Sequence, residues 1–306
     1  MHASSSPESI APAEGGDGLF VSVGMPVFNG ESFLRQAIDS MLAQSHANFE
    51  LIISDNASTD GSAAIAAEYA TRDPRVRYFL QPRNIGAARN YNFVAARARG
   101  KYLKWASAND YCDTAMLAAC IEVLESEPRA VLCYGTTRLV DEVTGAVQPF
   151  NGDFPITEER PSARFYRVLT EMRLNNAFNG LIRMEALRKT GLIRIYQGGD
   201  LVLMAELAMA GRFALLPRPL LYRRIGAHTF SSQLSDMELR YFIDPEAKSG
   251  AGLDRLRMNI DCFTSVLRAS MSLREKQRAL TLLAHSAYWD ARKMIGRPRR
   301  ASDVHP

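Results

Sequence analysis

The chain lacks the usual marks of a disulfide-stapled or zinc-stapled fold. It has only four cysteines in 306 residues, Cys112, Cys120, Cys133 and Cys262, with no CxxC pair and no cysteine–histidine spacing of a zinc site. They are expected to be reduced thiols in a cytoplasmic protein. Long apolar runs are also missing. The most apolar helix-like stretch, 201–210, carries Glu206 and falls well short of the ~20 residues that cross a bilayer. The first eighteen residues have neither a basic start nor an apolar centre, so they read as a disordered tail and not as a signal peptide. No GxGxxG follows the first apolar run, where the sequence reads Gly24-Met-Pro26, and no GxxxxGK[ST] loop occurs. A Rossmann hydride-transfer site needs the first of these motifs and a P-loop hydrolase the second. A formal net charge of +4 is too small for the footprint of a nucleic-acid binder.

What is present is an alternation of short β-rich runs and helical periods. Phe20–Val23, Phe49–Ser54, Val76–Leu80 and Lys101–Trp105 read as strands. Between them, Phe33 to Leu42 (with Asn29 as cap), Ser62–Ala70 and Gly86–Arg99 read as helices. Short βα connections of this kind predict a mostly parallel sheet flanked by helices, with ligands beyond the carboxyl ends of the strands. Asn29, Asp55, Asn56, Asn84, Asn109 and Asp110 all fall just after those strands. Further on, Asp113–Glu125 reads as a helix, Ala130–Tyr134 and Thr137–Val140 as strands, and 145–162 as a loop. Ser162–Arg173 and Arg183–Lys189 read as helices. Gly198-Gly199-Asp200 opens an apolar helix to Ala210, and two extended runs, Phe213–Leu216 and Leu220–Arg223, follow between prolines. Residues 253–295 read as helices.

Four blocks then occur in order: Val21-Ser-Val-Gly-Met-Pro-Val-Phe-Asn29, Ser54-Asp55-Asn56-Ala-Ser-Thr-Asp60-Gly61, Asn84-Ile-Gly86-Ala-Ala-Arg89-Asn90, and Lys101 through Asp110. Together they resemble glycosyltransferase family 2. The match is specific over 20–112, looser to about 232, and says little beyond. It implies an α/β GT-A nucleotide-diphospho-sugar transferase fold over 19–232, with a nucleotide-binding half to 112 and an acceptor half from 113; composition and periodicity add a disordered tail over 1–18, a helical C-terminal region over 233–296 and a basic tail over 297–306. It also implies an inverting transfer of sugar from a nucleotide-sugar donor to a glycan or lipid-linked acceptor. Asp55 would bind the nucleobase, with Pro26, Val27 and Asn29 lining the nucleotide. Asn84, Gly86, Arg89 and Asn90 would lie near the ribose or diphosphate. Plainer readings are turn-forming for Asn84 and Gly86, and helix capping for Ser58 or Asp60.

The metal block departs from the family pattern. Its Asp-x-Asp positions read Ser107-Ala108-Asn109, followed by Asp110. Mg²⁺ and Mn²⁺ prefer carboxylate oxygens. Three readings stay open: weak metal binding through Asn109 and Asp110, replacement of the metal by positive side chains, or a domain that binds donor without catalysis. The resemblance further implies a carboxylate base, for which Asp200 is the candidate and Glu206 the weaker alternative. The plainer reading of Asp200 is a helix cap. Arg224 and His228, in Leu221-Tyr-Arg-Arg-Ile-Gly-Ala-His228, could approach the diphosphate beside Ser107. Trp105 reads as core. The C-terminal helices and Arg297-Pro-Arg-Arg300 leave room for peripheral contact with the inner face of an anionic membrane. A nucleotidyltransferase is the poorest fit, because Gly24–Asn29 holds no basic residue.

Overall fold

The computed structural model describes residues 18–226, 236–246 and 253–295. The first seven elements are β1 (Val21–Val27), α1 (Glu31–Leu42), β2 (Phe49–Asp55), α2 (Ser62–Arg72), β3 (Val76–Leu80), α3 (Ala87–Ala96) and β4 (Tyr102–Trp105). β5 (Tyr111–Cys112), α4 (Met116–Ser126), β6 (Ala130–Asp141), β7 (Val147–Pro149) and α5 (Pro161–Glu171) follow. A 3₁₀ turn (Asn176–Asn179) leads into β8 (Leu181–Arg183), α6 (Met184–Leu187), α7 (Gly199–Ala210) and β9 (Arg212–Ile225). The C-terminal part is α8 (Asp236–Ile243), α9 (Asp254–Arg268) and α10 (Leu273–Ile295).

All the described strands join one sheet in the order β3-β2-β1-β4-β8-β6-β9-β5, with β7 beside β6. The pairs among β1 to β4 are parallel, as the βα alternation demands. The second half is mixed: β8 runs antiparallel to β4 and β6, β5 antiparallel to β9, and β6 parallel to β9. Mostly parallel therefore describes the first half only.

Side-chain alternation divides the core between the two sheet faces. Val21, Val23, Met25 and Val27 of β1 meet α1, α2 and α4, through Leu34, Ile38, Ile65 and Leu117. Leu103 and Trp105 of β4 point the other way, to α3, α5 and α7. α7 is apolar nearly all round because it is buried nearly all round, with Val202, Leu203, Met204 and Leu207 inaccessible to solvent. α9 packs on α7 and α10 on α5. The four cysteines are free and buried. No helix among the described residues is long and apolar enough to cross a membrane.

Three local expectations change. Each pair of short strand runs is one long strand, β6 or β9, interrupted at bulges near Gly135 and Thr136. The helix expected over 183–189 shrinks to α6, preceded by strand β8. Asn29 does not cap α1, whose first residue follows Gly30.

Candidate active site

The polar ends of β1 and β2 are locked together by an exchange of caps between α1 and α2. Asn29 stands in the left-handed region at φ 50°, and its Oδ1 accepts the Thr59 N–H at 2.8 Å. The Asn29 N–H donates to Ser58 Oγ, Gly30 N–H to Ser62 Oγ and Glu31 N–H to Asp60 Oδ2. In return, Gly61 N–H donates to Glu31 Oε2 at 2.8 Å, while Ser62 N–H is met locally by Asp60 Oδ1 at 3.0 Å. The start of α1 is thus satisfied by side chains from the start of α2, and Glu31 of α1 returns one bond to Gly61. Burial pushes the Asp60 carboxyl up, but the hydrogen bonds from Ser62 and Glu31 outweigh it and hold the group below its ordinary range.

Behind this loop Pro26 and Val27 are buried in β1. Asp55 ends β2 fully buried, with Oδ1 accepting the Ser58 N–H at 2.9 Å and Oδ2 3.4 Å from the Tyr78 hydroxyl. Burial, then the Asp55 charge, lifts the Tyr78 hydroxyl to about 12. Asn56 Nδ2 donates to Asn84 Oδ1, which also accepts the Gly86 N–H. Position 86 takes glycine on two counts: its φ is 83°, and the Ile243 carbonyl and Pro245 press on the place a Cβ would occupy. Arg89 reaches Asp244 at 2.7 Å. Asn90 turns inward: it is buried, its Oδ1 accepts the Ser54 hydroxyl and its Nδ2 donates to the Ser54 carbonyl. It ties α3 to β2 and presents no amide to a ligand.

The Ser107–Asp110 block lies at the end of β4, near α1 and against β9. The Ser107 hydroxyl donates to Asn109 Oδ1. Asp110 is buried, and its Oδ1 accepts the Arg224 N–H at 2.9 Å. Burial raises the Asp110 carboxyl; the Arg224 N–H and the charges of Arg223, Arg224 and Lys104 oppose that rise. The Arg224 side chain donates to Asn109 O and Gln36 Oε1 and lies over the Phe33 ring at 4.1 Å. Lys104, fully buried, donates to Asn179 O at 2.8 Å and Trp105 O at 3.0 Å. A cavity of about 10 Å³ lined by Lys104, Ser107, Asp110 and Asn179 has room for a single water.

This donor set does not fit a divalent cation. Asn109 offers only a neutral carbonyl oxygen, which already accepts the Ser107 hydroxyl, and Asp110, the one carboxylate, is buried with its Oδ1 on the Arg224 N–H and the charges of Arg223, Arg224 and Lys104 about it. Among the described residues no three His, Cys, Asp or Glu side chains converge as a metal site.

Asp200 stands in the first turn of α7, behind Gly198 in the left-handed region at φ 90°. Its carboxylate caps nothing, so the capping reading fails. Instead Asn175 Nδ2 donates to Asp200 Oδ2 at 2.9 Å. The Tyr91 hydroxyl, lifted to about 12 chiefly by burial, feels the charges of Asp110, Arg223 and Asp200. The hydrogen bonds place them together: Asn175 holds Asp200, its neighbour Asn176 holds Arg223, and the next residue, Arg224, donates its N–H to Asp110. Glu206 is held elsewhere, by Arg194 at 2.6 Å, the Gly191 N–H at 2.9 Å and the Ser265 hydroxyl at 2.6 Å. That network leaves it no room to act as a base.

The 3₁₀ turn Asn176–Asn179 is the hub that the sequence reading missed. Asn176 Oδ1 accepts from Arg223 at 2.8 Å, and the Asn179 carbonyl accepts from Lys104. Phe178 stacks on buried Trp105 at 4.6 Å. The one available signal was Lys104, the single charged residue in the strand Tyr102–Trp105. His228 lies outside the described residues.

The model of the family described as Glycosyl transferase family 2 matches residues 22–191. The chain belongs to glycosyltransferase family 2. An uncharacterized glycosyltransferase of Haemophilus influenzae is 40% identical over 91 residues, 30% of this chain and 36% of that protein. The uncharacterized glycosyltransferase EpsJ of Bacillus subtilis is 36% identical over 106 residues, 34% of this chain and 30% of that protein. The match thus spans about a third of the length of these curated relatives. Among solved structures, S. aureus TarS 1–349 in complex with UDP superposes with a TM-score of 0.61 at 14% identity, over 89% of this chain and 72% of that one. Its complex with UDP-GlcNAc gives 0.59 at 16% identity, over 86% and 70%. The architecture is the GT-A fold expected from the blocks, with the helical C-terminal region in place.

Proposed function

We propose that the chain transfers a sugar from a nucleoside-diphosphate donor to an acceptor hydroxyl with inversion at the anomeric carbon, Asp200 acting as base. The observation that carries this reading is the Asp200 carboxylate: uncapped, oriented by Asn175, and linked through Asn175-Asn176 to Arg223, whose neighbour Arg224 holds Asp110. Family membership and the nucleotide-bound neighbours support a nucleotide-sugar donor.

In this reading the nucleoside lies across the ends of β1 and β2, near Asn29, Asp55 and Asn84. The acceptor oxygen bonds to the anomeric carbon from the face opposite the diphosphate. Its proton passes to Asp200, and the C–O bond to the diphosphate breaks with its electron pair leaving on the nucleoside diphosphate. Because the Ser107–Asp110 donor set does not fit a metal, the leaving charge falls to Arg223, with Arg224 behind it and His228 as a further candidate. Polysaccharide or glycoconjugate synthesis on the cytoplasmic side, with a glycan or lipid-linked acceptor, follows from the same reading.

The second reading, a nucleotide-sugar-binding protein without turnover, draws on the absence of the Asp-x-Asp carboxylates at Ser107 and Asn109. Turnover of UDP-, GDP- and dTDP-sugars by the intact protein and by Asp200→Asn decides between them. Donor binding in both, with transfer lowered about 10²–10⁴-fold in the variant, supports the base. Unchanged transfer in Asp200→Asn removes it, and binding without any transfer favours the second reading.

A further inference from the structure

α9 has two faces of opposite use. Inward, Met258, Cys262, Ser265 and Val266 are buried. The Ser265 hydroxyl donates to Glu206 of α7, the Tyr196 hydroxyl donates to Asp261, and Met258 Sδ lies against Gly198. Outward, Leu253, Leu256, Ile260, Phe263 and Leu267 are 48%, 55%, 53%, 46% and 48% exposed. Their spacing alternates three and four residues, which places all five in one stripe along the helix. Leu273, at the start of α10, is 85% exposed. Scattered apolar side chains are ordinary on a surface, but an unbroken stripe five residues long marks a contact surface.

The charges beside the stripe select its occupant. The exposed ionisable residues of α9 are Arg255, Arg257 and Arg268, and Arg274 follows at the start of α10. Neither acid of α9 is exposed: Asp254 pairs with Arg257, and Asp261 faces Tyr196 and Arg194. Two copies of α9 packed stripe to stripe bring arginine towards arginine with no exposed acid of the helix to receive it. An anionic lipid surface takes both components, the apolar stripe at the acyl boundary and the guanidinium groups among the headgroups.

We propose that α9 lies in the plane of an anionic membrane surface through Leu253, Leu256, Ile260, Phe263 and Leu267, with the flanking arginines on lipid phosphates. The inner face of α9 holds the Gly198–Asp200 turn, so docking sets that turn about one helix diameter, roughly 10 Å, from the lipid. The surface stands whether or not Asp200 is a base.

The test is co-sedimentation of the full chain with vesicles of equal parts phosphatidylglycerol and phosphatidylcholine, and with phosphatidylcholine alone. The protein is expected to sediment with the anionic vesicles only, and less so at high salt. Replacing Ile260 and Phe263 together by Ser lowers the partition at least about tenfold, and Arg268→Ala lowers it about fivefold. Unchanged thermal melting shows that the variants fold; Leu256→Ser is the substitute if the double variant does not. No sedimentation with anionic vesicles overturns the proposal. So does partition that ignores these substitutions, or a dimer in ultracentrifugation that they abolish while vesicles stay unbound.

Discussion

The side-chain Nδ2 of Asn175 donates to Asp200 Oδ2 across 2.9 Å, while the Oδ1 of the same side chain is buried without a hydrogen-bond partner. A buried, unpaired carbonyl is costly, and here it is kept beside the Asp200 carboxylate, which has no other hydrogen-bond partner among the described residues. The arrangement fixes the Asp200 carboxylate and leaves its other oxygen for a substrate proton. Asn175→Ala is expected to lower kcat about tenfold with donor affinity unchanged, as befits a group that orients the base. Steady-state kinetics with a separate donor-binding isotherm check it; a shift in donor affinity alone would place Asn175 in the nucleotide site instead.

The crowding of Arg223, Arg224 and Lys104 around Asp110 bears on the leaving group. Transfer should persist in EDTA and respond less than about twofold to added Mn²⁺. Arg223→Ala should lower kcat/KM for the donor about 10²-fold, the usual order for a lost charge stabiliser. Arg223 is the better target than Arg224, because Arg224 is buried and already donates to Asn109 and Gln36. Activity abolished by EDTA and restored by Mn²⁺ would overturn this assignment.

The parallel half of the sheet was legible because each element carries its own period and the loops between them are short. β8 was not: three residues, Leu181-Ile-Arg183, run straight into the helix-forming letters Met184-Glu-Ala-Leu187. β6 and β9 read as two pieces each because Gly135, Pro217 and Pro219 look like ends of strands. The structure tolerates them at bulges, where Leu216 pairs with Gly135 and the next partner, Pro219, pairs with Thr136. In the site, two glycines pointed to Asp200. Asn175, Asn176 and Asn179 gave no such signal, since asparagine is ordinary turn chemistry and only the tertiary fold brings them to Asp200, Arg223 and Lys104.

Gly86 offers a test of how the segment of α8 and Pro245 sits on the third block. Gly86→Ala places a methyl group on the Ile243 carbonyl and strains a φ of 83°. The variant should lose about 1–3 kcal/mol of stability and become more readily cleaved within 236–246 by added protease. Unaltered melting and cleavage would show that the contact between Gly86 and Ile243 does not hold in solution.

Asp60 carries a pH dependence of known sign. Its carboxyl is held below the ordinary range, burial opposing and the Ser62 and Glu31 hydrogen bonds prevailing. A depressed value means that its contribution is fully present above the unfolded carboxylate range near pH 4. It is lost as pH falls through the folded value. Asp60→Ala should therefore cost about 1 kcal/mol at pH 7, and the difference from the parent protein should vanish in strong acid. Denaturant melts at both pH values measure it, and an equal cost at low pH would contradict the linkage.

The parallel pairing of β6 with β9 sets when the second half of the sheet can form. Ala130 pairs with Arg212 and Asp141 with Ile225, so a loop of about eighty residues must close before the ladder gains its first rung. Contacts of such long range are slow to form, and until they do the long edge of β6 stays open to pairing with another chain. The β3-β2-β1 part of the sheet, built from neighbouring βα units, has no such wait, whereas β4 joins β1 by pairing Tyr102 with Val21 across a loop as long. Refolding should accordingly show a fast phase from β1, β2 and β3 and a slow, concentration-sensitive phase from the closure of β4 onto β1 and of β6 onto β9.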